Sequence, residues 1–526
     1  MRKSCIKLIY KYDLDEHRIY PKNYRPIALL NVIYKIFSKL LADKMKLELA
    51  NIISIDQFCM PKRYIGDLIM FIQTLINNPD NSDMHRFLAL LDFEKAFDSV
   101  NHEFTFKAME AFGIPAEFIK LTRLGFHQTS ACCIINGKHT KYFDLPGGGR
   151  QGDNLYPLIF AIVMQVLNAS IKMQNMCGIN IHDQLQITLK QYADDSTACG
   201  SGREDYVKLR IGVKNFELAS GMQVNWTKSI MMFWGNEFDL LENDQIKVLA
   251  NGEQVRVLGI MMGHKIDPNV AYNKLNTKVR SALSNKTRSV DCVILDTVTV
   301  NAVAIGSCVF NLSFQSIKRE QMKKLEVLFN CFIRKDCYML SEQKRLSSVK
   351  DGQIVSKISL PDLNTTLKAK WMYKILCSDK WEAYAYLMIK EMIIIAKEYG
   401  WYSITQLLNS SIELDRGFTK IATFTHECMR AFQMMGYRMK HIETWESIMG
   451  QNIFHNRMII NPDTNKPYDK AEAPFNNIGC IAGIKSGGMN FLHSLTNFNS
   501  TRYRKNPEIP AGSIEFLTPA QLNKIQ

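Results

Sequence analysis

The sequence predicts an α+β chain, and three observations carry that assignment. Alternating, β-branched runs flank a short acidic turn: Gln186-Ile187-Thr188-Leu189-Lys190 before it and Ser196-Thr197-Ala198-Cys199 after it. That is a strand–turn–strand pattern. Upstream, Arg86–Phe93 is a short apolar run that carries an acid, Asp92, near its end, as a buried strand would. Around these strands lie stretches of helical periodicity, and a longer, basic helical region extends from 263 to 350.

Taken in order, Tyr24-Arg25-Pro26-Ile27-Ala28-Leu29-Leu30-Asn31 reads as extended, because Pro26 biases Arg25 away from helix. Asn31 then caps a helix running to Glu48, with Ile33, Ile36, Phe37, Leu40, Leu41 and Met45 on its apolar face. Lys35, Lys39, Lys44 and Lys46 take other positions and read as a solvated face. After the Arg86–Phe93 strand, Glu94–Asn101 is a turn into helix. Phe143–Gly152 is a glycine-rich loop ahead of an apolar helix from Leu155 to Leu167. Its glycines would let backbone N–H groups approach a ligand, and a helix start favours phosphate; the spacing is neither a Walker loop nor a dinucleotide fingerprint. Ser220–Ser229 reads as a turn followed by a strand, and Val255–Ile260 as a second hairpin. Leu360-Pro361-Asp362-Leu363 reads as a break before a helix over 367–377.

With 526 residues, 46% of them hydrophobic, the chain can bury large cores in two or three domains. Its net charge of +14 is unevenly spread. Residues 1–262 hold 30 Lys+Arg against 28 Asp+Glu, and the remainder holds 35 against 23. A near-neutral half with acidic motifs followed by a basic half suits a catalytic body joined to a polyanion grip. Thirteen scattered cysteines form no CxxC pair and point to reduced thiols, so no zinc is expected. The start of the chain has no long apolar core of a signal peptide. Val298–Leu312 is interrupted by Thr299, Asn301, Gly306 and Ser307 and reads as buried rather than membrane-spanning. An intracellular protein in nucleus, cytoplasm or both is expected, not a secreted or membrane one.

Asp92 on one strand and Asp194-Asp195 on a hairpin would bring three carboxylates together, a donor set for oxygen-loving divalent cations. Two such ions about 3.5–4 Å apart activate an attacking 3′-hydroxyl and stabilise leaving pyrophosphate.

At this point Tyr24–Asn31, Leu91–Val100 (LDFEKAFDSV), Arg150-Gln151-Gly152, Tyr192–Asp195 (YADD) and Ser220–Ser229 together resemble the ordered motifs of reverse transcriptases, most closely those of LINE, or non-LTR, retrotransposons. The resemblance covers roughly residues 5–262, and five separate motifs agree in order and spacing. It implies a right-hand polymerase: fingers and palm over 1–262, a helical thumb over 263–380, and a mostly helical extension over 381–526. Leu360–Leu363 and Trp445–Thr496 resemble segments that follow the polymerase in such polyproteins.

The resemblance implies that Asp92, Asp194 and Asp195 are the metal-binding triad for two Mg2+ ions, with Mn2+ as a substitute. Phe93 and Ala193 would be their backbone-adjacent partners. It implies that Phe97 lies under the incoming sugar and selects deoxynucleotides. Arg150, Gln151 and Gly152 would line the nucleotide and template, Arg63 and Arg25 would lie near the triphosphate, and Lys228 near the pyrophosphate as a proton donor. Val257, Leu258 and Gly259 would form the primer grip. The implied partners are an RNA template, a DNA primer or target, and dNTPs. Where the family has serine, this chain has Tyr156, expected to crowd template or nucleotide; Gly147-Gly148-Gly149 and Asn154 also depart from the family pattern, as does the shortened Asp56–Arg63 loop. Without an upstream endonuclease or a cysteine-rich knuckle, the chain reads as a piece of a mobile-element polyprotein. The competing expectations are an inactive retrotransposon remnant that binds RNA or RNA–DNA hybrid without polymerising, and an RNA-directed RNA polymerase, against which Phe97 argues.

Overall fold

The computed structural model describes residues 3–10, 20, 23–77, 85–182, 185–235, 237–242, 244–264, 267–284, 286, 293–333, 348–350, 353–355, 357–376, 382–398, 404, 408 and 423–435. Trp445–Thr496 therefore lies outside the described residues. The chain divides into two compact units, residues 1–68 with 80–250, and residues 69–79 with 251–526.

Besides a two-stranded sheet, the first unit carries two five-stranded ones. One is built from β1 (Lys3–Tyr10), β2 (Tyr24–Leu29), β4 (Ser130–Ile135) and β5 (Lys138–His139) in the order β2-β1-β4-β5, with β6 (Phe143–Asp144) also on β4. The other has β3 (Arg86–Leu91) and β10 (Asp195–Ser201) near its centre, in the order β12-β11-β3-β10-β9. Its remaining strands are β9 (Leu189–Tyr192), β11 (Ile230–Trp234) and β12 (Lys247–Val248). The expected hairpin is thus present, although β8 (Leu185–Ile187) leaves it at Thr188 to pair with β7 (Ile179–His182).

Helix α6 (Tyr156–Lys172) explains why its sequence is apolar on every side. Phe160, Val163, Met164 and Leu167 pack with Phe87 and Ala89 of β3 and with Tyr206, Leu209, Val213 and Phe216 of α7 (Gly202–Ser220). Leu158, Ile159 and Ile162 meet Leu41, Met45 and Leu49 of α1 (Val32–Ile52) instead. A helix between two cores has no polar face to show.

Helix α1 starts as expected, with the Asn31 side chain accepting from the Ile33 N–H. Its buried stripe is rotated from the expected one. Tyr34, Ser38, Leu41, Ala42, Met45 and Leu49 are buried, whereas Ile33, Ile36 and Leu40 are 63%, 58% and 61% exposed. Tyr34 sets this rotation: its hydroxyl donates to Asp153, and the Arg150 guanidinium stacks 4.0 Å over its ring.

Two boundaries also move. Ser220–Ser229 contains no strand beyond an isolated Phe93–Val224 bridge; Gly221 ends α7 at φ 76°, a turn closes from Lys228 N–H to the Asn225 carbonyl, and β11 begins at Ile230. Leu360–Leu363 opens a helix, Leu360–Leu376, rather than breaking the pattern. Proline in a first turn lacks only an N–H that no helix carbonyl would accept.

Among its described residues, the second unit is mainly helical, with strands only in the hairpins of β13 (Val255–Val257) with β14 (Ile260–Met262) and of 348–350 with 353–355. Leu275, Val279, Leu312, Leu325, Phe329 and Leu360 share its core. Leu295–Phe314 is, among the described residues, the one helical stretch long and apolar enough to cross a membrane. Val300, Ala304, Ile305, Cys308 and Leu312 turn into that same core.

Candidate active site

The sheet register brings the first acid to the second motif. Strands β3 and β10 pair antiparallel, and Ser196 opposite Leu91 is the last rung. The next residue on each strand is Asp92 and Asp195. Residues opposite each other at such a rung project to one face, with Cβ atoms roughly 4.5–5.5 Å apart. Asp194 sits in the two-residue turn between β9 and β10. Its neighbour Ala193 has φ 53°, at a hairpin position usually reserved for glycine.

Hydrogen bonds hold that strained turn. Gln57, buried on the neighbouring loop, accepts from the Ala193 N–H at 2.9 Å and donates to its carbonyl at 3.3 Å. The loop itself is fastened to β9, where the Gln191 N–H donates to the Asp56 carbonyl and Phe58 N–H to the Gln191 carbonyl. The Asp56 carboxylate meets Lys190 and Lys172, each at 2.9 Å. Burial alone would raise its pKa, yet the two ammonium groups hold it well below the usual carboxylate range. On the other strand, the Asp92 N–H donates to the Ser229 hydroxyl and its carbonyl accepts from the Asn225 N–H.

The three acids feel one another. Desolvation and then the charges of Asp194 and Asp92 raise Asp195 to about 6. Desolvation and the charge of Asp92 also raise Asp194, against a backbone hydrogen bond that lowers it. Asp92 is raised by desolvation and Glu94, while Lys228 opposes the shift. Lys228 is exposed on the turn before β11 and stands close enough to act on Asp92. The carboxylate oxygens are not gathered to a mutual separation of 4.8 Å, as expected of like charges.

Phe97, in the short helix α3 (Ala96–Ser99), rests on an aromatic bed. Its ring stacks on Phe160 with centroids 4.3 Å apart, and Tyr156 meets it edge-on at 5.8 Å. Its carbonyl accepts from the Gly149 N–H and the Tyr156 hydroxyl, both at 2.9 Å.

Here the structure corrects the phosphate reading of the glycine loop. The Gly148 and Gly149 N–H groups donate to the Val100 and Phe97 carbonyls, so they face protein. A Cβ on Gly148, at φ 66°, would lie 2.5 Å from the Asp98 backbone. The glycines let the loop press against the turn that carries Phe97. Tyr156 is corrected too: it is 3% exposed in the core and does not line an open site. A Cβ on Gly149 would come within 2.1 Å of the Tyr156 ring. The bulky tyrosine and the missing side chain are one accommodation, and each departure from the family pattern explains the other.

The arginines have structural contacts. Arg150, buried, donates to the Gly125 carbonyl besides stacking on Tyr34. Arg63 donates to the carbonyls of Ser54, Gln57 and Ile53, fixing the loop that carries Gln57. Arg25 is exposed on β2. Gln151 accepts from the Ala28 N–H through its carbonyl and lines a cavity of about 270 Å³ with Asp98, Gly147 and Pro26. A Cβ on Gly152 would lie 3.1 Å from the Ala28 carbonyl, so that glycine admits β2. Leu258 and Gly259 form the β13–β14 turn at φ 47° and 90° after Val257, within the second unit.

The order of these motifs along the chain has a counterpart among known proteins. Residues 9–262 match the family described as reverse transcriptase (RNA-dependent DNA polymerase). This stretch is a reverse transcriptase domain. It is 25% identical over 244 residues to the Transposon TX1 uncharacterized 149 kDa protein of Xenopus laevis, covering 46% of this chain and 19% of that one. It is 24% identical over 216 residues to a retrovirus-related Pol polyprotein from the type-1 retrotransposable element R2 of Popillia japonica, covering 40% of this chain and 29% of that one. The chain thus spans less than a third of the length of these relatives, which are non-LTR retrotransposon proteins. Among solved structures, telomerase from Candida albicans in complex with a fragment of telomeric RNA aligns with 76% of this chain and 63% of its own, at 10% identity and TM-score 0.37.

Reverse transcriptases take a nucleic-acid template and nucleotide substrates and use divalent metal ions. The donor set of this domain fits such ions. Asp92, Asp194 and Asp195 are hard oxygen donors that repel one another when alone. In the Phe93–Val224 bridge the flanking residues make the hydrogen bonds, which directs the Phe93 carbonyl away from its partner. Sequence reasoning missed Gln57, Ser229 and Asn225. All three lie inside motifs already noted, but their role is to position the acids, and that needs the tertiary contact to be seen.

Proposed function

We propose that this chain is an RNA-directed DNA polymerase of a LINE-like retrotransposon, extending a DNA 3′-hydroxyl on an RNA template with dNTPs. The observation that carries this reading is the β3–β10 register, which sets Asp92 and Asp195 one residue beyond the last Leu91–Ser196 rung, with Asp194 in the adjoining turn and the charges of Asp194 and Asp92 both acting on Asp195. Asp92, Asp194 and Asp195 would hold two Mg2+ ions, or Mn2+ in their place. When bound, these ions supply charge neutralisation at the attacking oxygen and the leaving pyrophosphate. Phe97 presents a ring backed by Phe160 and Tyr156, a surface that cannot recede from a 2′-hydroxyl. Lys228, beside Asp92, offers a cation and a proton on the pyrophosphate side. Positioning and charge carry the reaction, because phosphoryl transfer asks for little covalent chemistry from the protein.

The excess positive charge after residue 262 supplies phosphate contacts for template and primer. The nine described cysteines are free thiols, which supports action inside the cell, in nucleus, cytoplasm or both.

Primer extension on an RNA template with Mg2+ tests the reading. Incorporation of dNTPs by the full chain, abolished by Asp194→Asn, is the expected result. Hybrid binding without any incorporation would favour the inactive remnant. Phe97→Ala should raise ribonucleotide incorporation, and an unchanged dNTP preference would remove Phe97 from the sugar-selecting role.

A further inference from the structure

The sheet of β2-β1-β4-β5 holds a second donor set, far apart in sequence and unrelated to the acidic rung. Cys5 and Cys132 are directly paired residues of the parallel strands β1 and β4. Side chains opposite one another share a face, and so does Ile134, two residues beyond Cys132. His139 on β5 is the antiparallel partner of Ile134. Register alone therefore places both thiols and the imidazole on one face of three adjacent strands.

Their spacing is that of ligands around a single tetrahedral ion. The two sulfurs are 3.6 Å apart, and His139 Nδ1 lies 3.9 Å from Cys5 Sγ and 3.5 Å from Cys132 Sγ. Zinc bonds of about 2.3 Å to sulfur and 2.0–2.1 Å to nitrogen give tetrahedral edges of roughly 3.8 Å between sulfurs and 3.6 Å between sulfur and nitrogen. Among the described residues this is the one trio of His, Cys, Asp or Glu donors gathered within 4.8 Å. Tyr142, next to the β6 strand, brings its hydroxyl against both thiols. Cys132 is fully buried, Cys5 half-buried and His139 exposed, so the face is open to an arriving ion on the histidine side.

We propose that Cys5, Cys132 and His139 form a zinc site, with a water or the Tyr142 hydroxyl in the fourth position. Two thiols lose their protons on binding and the resulting thiolates neutralise the ion, so the site carries no net charge. Softness sets it apart from the acidic rung: thiolate and imidazole select Zn2+ over the Mg2+ that carboxylates take. The ion would staple β1 to strands 127 positions further along the chain. It would brace the same sheet whose β2 meets Gln151 through Ala28. The expectation of no zinc rested on ligand pairs close in sequence, and this site has none. It stands independently of the polymerase reading.

Cobalt substitution of the reduced full-length chain tests the site, with metal analysis of the purified protein beside it. The expected result is one equivalent of Co2+ displaced by Zn2+, with tetrahedral d–d bands and thiolate-to-cobalt charge transfer. Cys5→Ser and His139→Asn should each weaken binding by more than the ~10–100-fold that loss of an outer-shell partner costs. His139 is exposed, so that variant should keep its fold, checked by circular dichroism. Cys133→Ser, on the opposite face, should bind as the parent does. No stoichiometric metal uptake by the reduced chain overturns the proposal, as does a charge-transfer band that survives both Cys5→Ser and His139→Asn. A Cys5–Cys132 disulfide that resists reduction, with no metal bound, would also overturn it.

Discussion

The two five-stranded sheets of the first unit carry donor sets of opposite hardness. One ends in three carboxylates that repel one another, reached through a strained turn. The other gathers two thiols and an imidazole at contact distance on one sheet face. The acidic rung keeps its geometry only because neighbours over-determine it: Gln57 grips Ala193 from both sides, and Asp56 ties the Gln57 loop to Lys190 beneath the hairpin. The thiol site needs no such frame, since strand register alone assembles it. A site for chemistry stores repulsion against its surroundings, whereas a site for bracing sits where the fold is already at rest.

That contrast breaks most readily at its support. Asp56→Asn would leave Lys190, which is almost fully buried, without its carboxylate, and unpaired buried charges cost roughly 3–5 kcal/mol. Urea unfolding should show this loss. A shift close to zero would mean that the Gln57 loop is not held by the ion pair.

Next in size is the packing under Phe97. Gly149→Val should destabilise by roughly 1–3 kcal/mol through overpacking against Tyr156. Adding Tyr156→Ser should recover much of it. A double variant as unstable as the sum of the singles would show that the two positions do not accommodate each other.

The repulsion itself is a smaller quantity. Asp195 rises from 3.8 to about 6 in the fold, so the native state holds this proton longer than the unfolded chain. Its contribution favours folding below about 3.8 and fades as pH rises through 6. Without divalent cations, Asp195→Asn should therefore stabilise the protein at neutral pH. With solvent screening the gain is roughly 1 kcal/mol, or about 2–4 °C in Tm. Added Mg2+ should stabilise the parent and do less for the variant. A lower Tm for the variant in metal-free buffer would contradict the charge coupling. In the same direction, primer extension should decline as pH falls through about 6, where Asp195 takes up a proton that competes with metal. A flat profile down to pH 5 would speak against that coupling too.

How much of this was legible follows from how each site is built. Asp92 and Asp194-Asp195 were readable because strand alternation and an acidic turn are local, and the ordered motifs placed them together before any distance was known. The β13–β14 hairpin and the Asn31 cap were legible for the same reason. The rotation of α1 was not, because Tyr34 answers to Asp153 and Arg150 across the fold rather than to its own periodicity. Tyr156 looked like an intrusion, since a sequence cannot show that Gly149 makes room for it. The thiol–imidazole trio was hidden most completely. Its three members occupy three strands, and only the β1–β4 and β4–β5 registers together join them.

Asp92 and the hairpin acids, on this reading of the fold, form one metal site. Mn2+ binding to the full chain, followed by electron paramagnetic resonance, measures it most directly. Asp92→Asn and Asp195→Asn, although far apart in sequence, should each weaken the same bound Mn2+, with effects well short of additive when combined. Mn2+ binding that is unchanged in Asp92→Asn, or additive losses from two independent ions, would contradict it.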